Sequence, residues 1–134
     1  MILLDERLLG RGIETAIARW YRGSVCIIRD LRPGTIIKDG AIPMLLQREA
    51  QPTFVTIHES DFWQKVAIRE HFRVVCLALP DSRAGEVSNL IQRLLRHPDL
   101  KTTANRMGRV IRIASAHAFY YQAGDNTISP LENW

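Results

Sequence analysis

The chain has 134 residues, 46% of them hydrophobic and 24% charged, with a formal net charge of +4. This is the size and composition of one ordinary globular domain, which excludes a disulfide scaffold and a disordered chain. Its apolar runs fall far short of the ~20 residues that a membrane span needs. The opening Met-Ile-Leu-Leu-Asp-Glu has no basic stretch before its apolar residues, unlike a secretory signal.

The elements follow in chain order. Ile2-Leu3-Leu4 reads as a buried strand that ends in the acids Asp5 and Glu6. Leu9, Ile13, Ala16, Ile17 and Trp20 then have helical spacing, so a helix is predicted from Glu6 to Tyr21, with Asp5 as its N-cap and Gly23 past its end. Val25-Cys26-Ile27-Ile28 reads as a second strand, and Asp30 as a solvated loop acid. Arg32-Pro33-Gly34 is turn chemistry. Asp39 opens a helix running to about Glu49, with Pro43 tolerated in its first turn.

A third strand spans Thr53 to Ile57, followed by the loop His58-Glu59-Ser60-Asp61 and a short helix from Phe62 to about Glu70. Phe72 to Leu79 is a fourth strand. Asp81 or Ser82 caps a helix that carries Val87, Leu90, Ile91, Leu94 and Leu95 and closes at Pro98. Arg109 to Ser115 and Ala118 to Gln122 read as a terminal strand pair. Residues 1–123 then form a single domain, and 124–134 an irregular tail. Alternating strands and helices predict an α/β fold, a three-layer α/β/α sandwich around a mostly parallel sheet.

Cys26 and Cys76 lie inside apolar runs, with no Cys-x-x-Cys spacing. They read as core thiols of a reducing compartment, and the expected location is cytoplasmic. The basic residues are 15 Arg against 3 Lys. Arginine forks suit bidentate phosphate contacts. From Leu100 to Gly124 there is no acid, but there are Lys101, Arg106, Arg109 and Arg112. These four are the candidate nucleic-acid contacts, and an ordinary solvated basic face is the alternative.

Acids recur where strands end, which is where open α/β sheets build their functional crevice. If strands one and three are central, Asp5 and Asp61 meet there. Clustered carboxylates are best tolerated around a cation, and oxygen ligands suit Mg²⁺ or Mn²⁺. Helix capping is the competing role for Asp5, Asp39, Asp61 and Asp81, and for Asp81 the one adopted. His58 is a candidate base or ligand, or else a surface histidine; His71, His97 and His117 read as structural. Trp63 reads as core packing. No nucleophile elbow, phosphate loop or dinucleotide fingerprint occurs, since Gly10-Arg11-Gly12 lacks the third glycine.

The order strand-Asp5-Glu6, helix, strand, Asp39 at a helix start, then Phe-Val-Thr-Ile-His-Glu-Ser-Asp-Phe-Trp resembles the PIN-like superfamily, the fold of VapC-type toxin ribonucleases. The resemblance spans about residues 2 to 80. It implies an endoribonuclease that uses Mg²⁺ or Mn²⁺, with Asp5, Asp39 and Asp61 as catalytic metal ligands and Glu6 assisting. It implies RNA as substrate, a protein antitoxin as partner, and a homodimer. The sequence departs from the family around His58: one residue is added before Asp61, so His58 or Glu59 replaces a ligand, or the site holds metal weakly. Thr56 is a candidate bond to a ligand or to the attacking water.

Two rival readings stand beside the nuclease. One is a catalytically inactive PIN-like module that binds RNA or protein. The other is a receiver-like phosphoacceptor domain, which needs an aspartate at the end of strand three and a late lysine. Here strand three ends Ile57-His58 and no lysine follows Lys101.

Overall fold

Ile2-Leu3-Leu4 carries no polar side chain, so as a strand it must be covered on both faces. All three residues are buried, and β1 (Ile2–Leu4) runs parallel between β2 (Val25–Ile27) and β3 (Thr53–Thr56). β4 (Arg73–Leu77) and β5 (Arg109–Ala114) continue in the same direction. β6 (His117–Gln122) and β7 (Asp125–Pro130) turn back as antiparallel neighbours. The seven strands form one mixed sheet in the order β2-β1-β3-β4-β5-β6-β7. The structure is a computed structural model and describes residues 1–31, 34, 37, 41–57, 63, 68, 71–100, 107–114 and 116–134, with Asn126 as backbone alone.

Strand alternation sorts the core into two clusters. Ile2, Leu4, Val55, Val75, Leu77, Ile111 and Ile113 pack with Ile13 and Ile17 of α1 (Ile13–Ala18) and with Val87, Ile91 and Leu94 of α3 (Val87–Leu95). Leu3, Phe54, Val74, Cys76 and Val110 project the other way, where Ile42 and Leu46 of α2 (Ile42–Leu46) join them. Trp63 belongs to this second cluster, its ring 5.5 Å from that of Tyr121. Trp20 Nε1 donates to Ser88 Oγ at 2.9 Å and ties the end of α1 to α3.

Three elements differ from their sequence expectation. The predicted helix from Glu6 to Tyr21 is broken: a 3-10 turn at Glu6–Leu8 and α1 are separated by Gly10 and Gly12, whose φ angles are 78° and 73°. Left-handed backbone ends a right-handed helix whatever the side-chain periodicity says. The expected tail from 124 is instead mostly strand β7. Ala123 and Gly124 form a two-residue hairpin turn, with Gln122 facing Asp125 across it and Gly124 at φ 83°. Asp81 begins a 3-10 turn, Asp81–Glu86, but caps nothing with its side chain. The predicted start of the second helix, Asp39, lies outside the described residues, where α2 begins at Ile42 with Pro43 in its first turn.

One of the two histidines near the carboxyl terminus has a legible role. His97 is buried. Its Nδ1 accepts from the Asp99 N–H at 3.2 Å, which leaves Nε2 to donate to the Glu132 carbonyl. That bond fastens the chain after β7 to the end of α3. His117 is an exposed residue at the start of β6.

Two measurements check this account. Gly124→Val is expected to lower unfolding stability by about 1–2 kcal/mol, because a β-branched residue resists positive φ. Gly85→Ala has open space around its new methyl group and no positive φ, so urea melts should place it within about 0.5 kcal/mol of wild type. Burial, and then the carboxylate of Asp30, push the Cys26 thiol above its ordinary pKa. At pH 8 it should react with a thiol reagent more slowly than free cysteine, and the fully buried Cys76 should react only on unfolding.

Candidate functional site

The direction of the sheet changes sides at β1. The chain runs from β1 to β2 on one side and returns at β3 on the other. The crevice beyond the carboxyl ends of β1 and β3 is where sheets of this order bind ligands. Asp5 is the first residue after β1 and Thr56 the last of β3. Leu4 is paired with Val55, which sets Asp5 level with Thr56. The Asp5 N–H donates to the Val55 carbonyl at 2.9 Å.

The two side chains meet. Thr56 Oγ1 donates to Asp5 Oδ2 at 2.6 Å. Thr56 is wholly buried and Asp5 is 8% exposed. A charge-assisted hydrogen bond at this burial holds the carboxylate in one orientation. The capping role expected as an alternative does not apply to Asp5. It stands at the N-cap of the 3-10 turn, but its side chain makes no capping bond; only its carbonyl takes part, accepting from the Leu8 N–H at 2.9 Å. The Thr56 hydroxyl is therefore a partner of a candidate ligand.

Glu6 follows at the start of the turn and is partly exposed. The loop after it meets the connection after β4. Arg11 Nη1 donates to the Asp81 carbonyl at 2.8 Å, and its Nη2 lies 3.5 Å from Asp81 Oδ1. Arg11 Nε also donates to the Arg7 carbonyl at 2.9 Å. As an exposed ion pair this adds little stability. Its consequence is geometric, because it links two loops that flank the Asp5–Thr56 pair. The sequence signalled Gly10-Arg11-Gly12 only as a failed nucleotide fingerprint.

Asp39, His58, Glu59, Asp61, Lys101 and Arg106 lie outside the described residues. Among the described residues no group of three or more His, Cys, Asp and Glu side chains is placed to hold a metal ion. Asp5 itself suits an oxygen-seeking cation. It is a carboxylate at a strand end with one oxygen held by a buried hydroxyl, as ligating carboxylates commonly are.

The two described basic candidates, Arg109 and Arg112, do not share a face of the sheet. Arg109 stacks over Tyr120 at 4.6 Å, on the face of Ile111 and Ile113. Arg112 is three residues on in the same strand and so projects to the face of Val110. One RNA groove cannot take both. A further guanidinium, not among those candidates, is Arg93, which stacks over Trp134 at 4.2 Å. Its signal was available, since Asn89, Gln92, Arg93 and Arg96 recur at helical spacing on the polar side of α3.

No protein-family model matches the chain, and neither does any curated protein or solved structure.

Thr56→Val is expected to cost about 1–3 kcal/mol, because it leaves a buried carboxylate oxygen without its donor. Thr56→Ser should recover most of that. A double-mutant cycle with Asp5→Ala, read by urea unfolding at pH 7, should give a coupling of at least about 1 kcal/mol. A coupling near zero would mean that the two groups do not interact in solution.

Proposed function

We propose that the chain is a PIN-like ribonuclease dependent on Mg²⁺ or Mn²⁺, built as a three-layer α/β/α sandwich with a mostly parallel sheet. The observation that carries this reading is the Thr56–Asp5 hydrogen bond at the point where the strand order changes sides. A helix cap would need no threonine behind it. A carboxylate that must face one way in an acidic site benefits from such a partner.

Asp5 would hold the cation together with Asp39 and Asp61, and Glu6 stands beside them. When bound, the cation supplies Lewis acidity and charge neutralisation for a phosphodiester. Thr56 orients the Asp5 carboxylate and occupies one of its oxygens. Burial of Asp5 and Thr56 limits the motion and hydration of that ligand. Single-stranded RNA is the substrate this reading favours, because its backbone is accessible. The sequence resemblance supports the same assignment, and an antitoxin-like protein is the partner it suggests.

The test is Mn²⁺ calorimetry followed by cleavage of a single-stranded RNA in Mn²⁺. Wild type should bind and cleave. Asp5→Asn and Asp61→Asn should each lose binding, and cleavage should fall by at least about a hundredfold. Thr56→Val should lose about ten- to a hundredfold, as removal of a ligand's outer partner does. Cleavage that survives in Asp5→Asn, or a wild type that neither binds Mn²⁺ nor cleaves, would overturn the assignment.

A further inference from the structure

At the opposite, amino-terminal edge of the sheet lies a cavity of about 220 Å³. The proposed nuclease chemistry does not use it. Its walls include the first rung of three neighbouring strands, where Ile2, Thr53 and Arg73 stand in register. Tyr21, Gln51 and Leu95 complete much of the rest. The described residues that line it include no carboxylate.

Hydrogen-bond direction indicates what this space accepts. Arg73 is 1% exposed, and its Nη2 donates to Thr53 Oγ1 at 2.9 Å. A guanidinium has only donors and keeps its proton. The Thr53 oxygen is thus the acceptor, and its own proton is left to donate elsewhere. Likewise the Tyr21 hydroxyl oxygen accepts from the Met1 nitrogen at 3.0 Å, which leaves the phenolic proton for another acceptor. The lining thus offers two hydroxyl donors, each polarised by a nitrogen donor, with a buried positive charge behind one of them.

Two backbone features place these donors. A Cβ at Gly23 would lie 2.7 Å from the Tyr21 ring, so only glycine there allows the phenol its position. Gln51 is held at φ 50°, a conformation uncommon for residues other than glycine. Strain of that kind tends to collect at ligand sites. At roughly 30 Å³ per water, the volume admits an ion of a few heavy atoms with some of its hydration.

We infer that this cavity binds a small oxyanion, a phosphate or a carboxylate, whose oxygens accept from the Tyr21 and Thr53 hydroxyls. The buried guanidinium of Arg73 supplies the positive potential and acts through Thr53. Selectivity against cations follows from the absence of carboxylates in the described lining, and selectivity against apolar ligands from its donors.

The experiment is calorimetry and thermal melting of the full chain with sodium phosphate and with sodium malonate, against sodium chloride at matched ionic strength. The variants are Tyr21→Phe and Thr53→Val, each of which removes one O–H donor. Saturable binding with a rise in Tm, absent with chloride and weakened at least about fivefold in each variant, is the expected result. Tighter binding of phosphate identifies a phosphoryl ligand, and tighter binding of malonate a carboxylate. Responses equal to those with chloride overturn the inference, and so does saturable binding that both variants retain unchanged. Should Thr53→Val fail to fold, Tyr21→Phe decides alone, because its ring keeps the contact with Gly23.

Discussion

A strand of three apolar residues, Ile2–Leu4, has to be kept dry on both faces and both edges. β2 and β3 satisfy its backbone on either side, and side chains from α1, α2 and α3 reach the two clusters above and below the sheet. Parallel strands buried in this way cannot alternate polar and apolar residues. That is why β1, β3 and β4 are buried along their whole length, with polar residues confined to their ends. Thr53, Thr56 and Arg73 are those end residues, and Asp5 follows directly.

The polar ends have opposite characters. At the carboxyl end of β1 and β3 a threonine hydroxyl points its proton at a carboxylate, and the local charge is negative. At the amino end a guanidinium points its proton at a threonine hydroxyl. One strand, β3, carries both threonines, four residues long and polarised in opposite senses. The two proposed sites accordingly call for ligands of opposite sign. The Thr56 hydroxyl is wholly buried, so its hydrogen bond determines how the Asp5 carboxylate presents itself.

Much of the strand plan was legible from the residues because apolar runs that short and that pure have few alternatives to a covered strand. The break in the helix after β1 is not legible, because helical spacing persists across Gly10 and Gly12 while the backbone does not. β7 is hidden in the sequence for a different reason. Asp125 to Pro130 is a polar strand without strong alternation, and it becomes a strand only because β6 offers it an edge and Gly124 permits a tight turn. The arginines of β5 were legible as a basic run, and the period of two already separates Arg109 from Arg112 once the strand is accepted.

The residues by themselves determined that Asp5 ends a strand, that the core is built on strands alternating with helices, and that the chain is rich in arginine. They left the role of Asp5 between helix cap and ligand. Only the tertiary structure shows that its side chain caps nothing and is held instead by Thr56, from a strand 51 positions away in sequence. The same holds for Arg73, whose partner Thr53 is 20 positions distant. Local propensity depends on the nearest few residues, whereas a buried polar group takes whatever partner strand register brings within reach, and register belongs to the whole sheet.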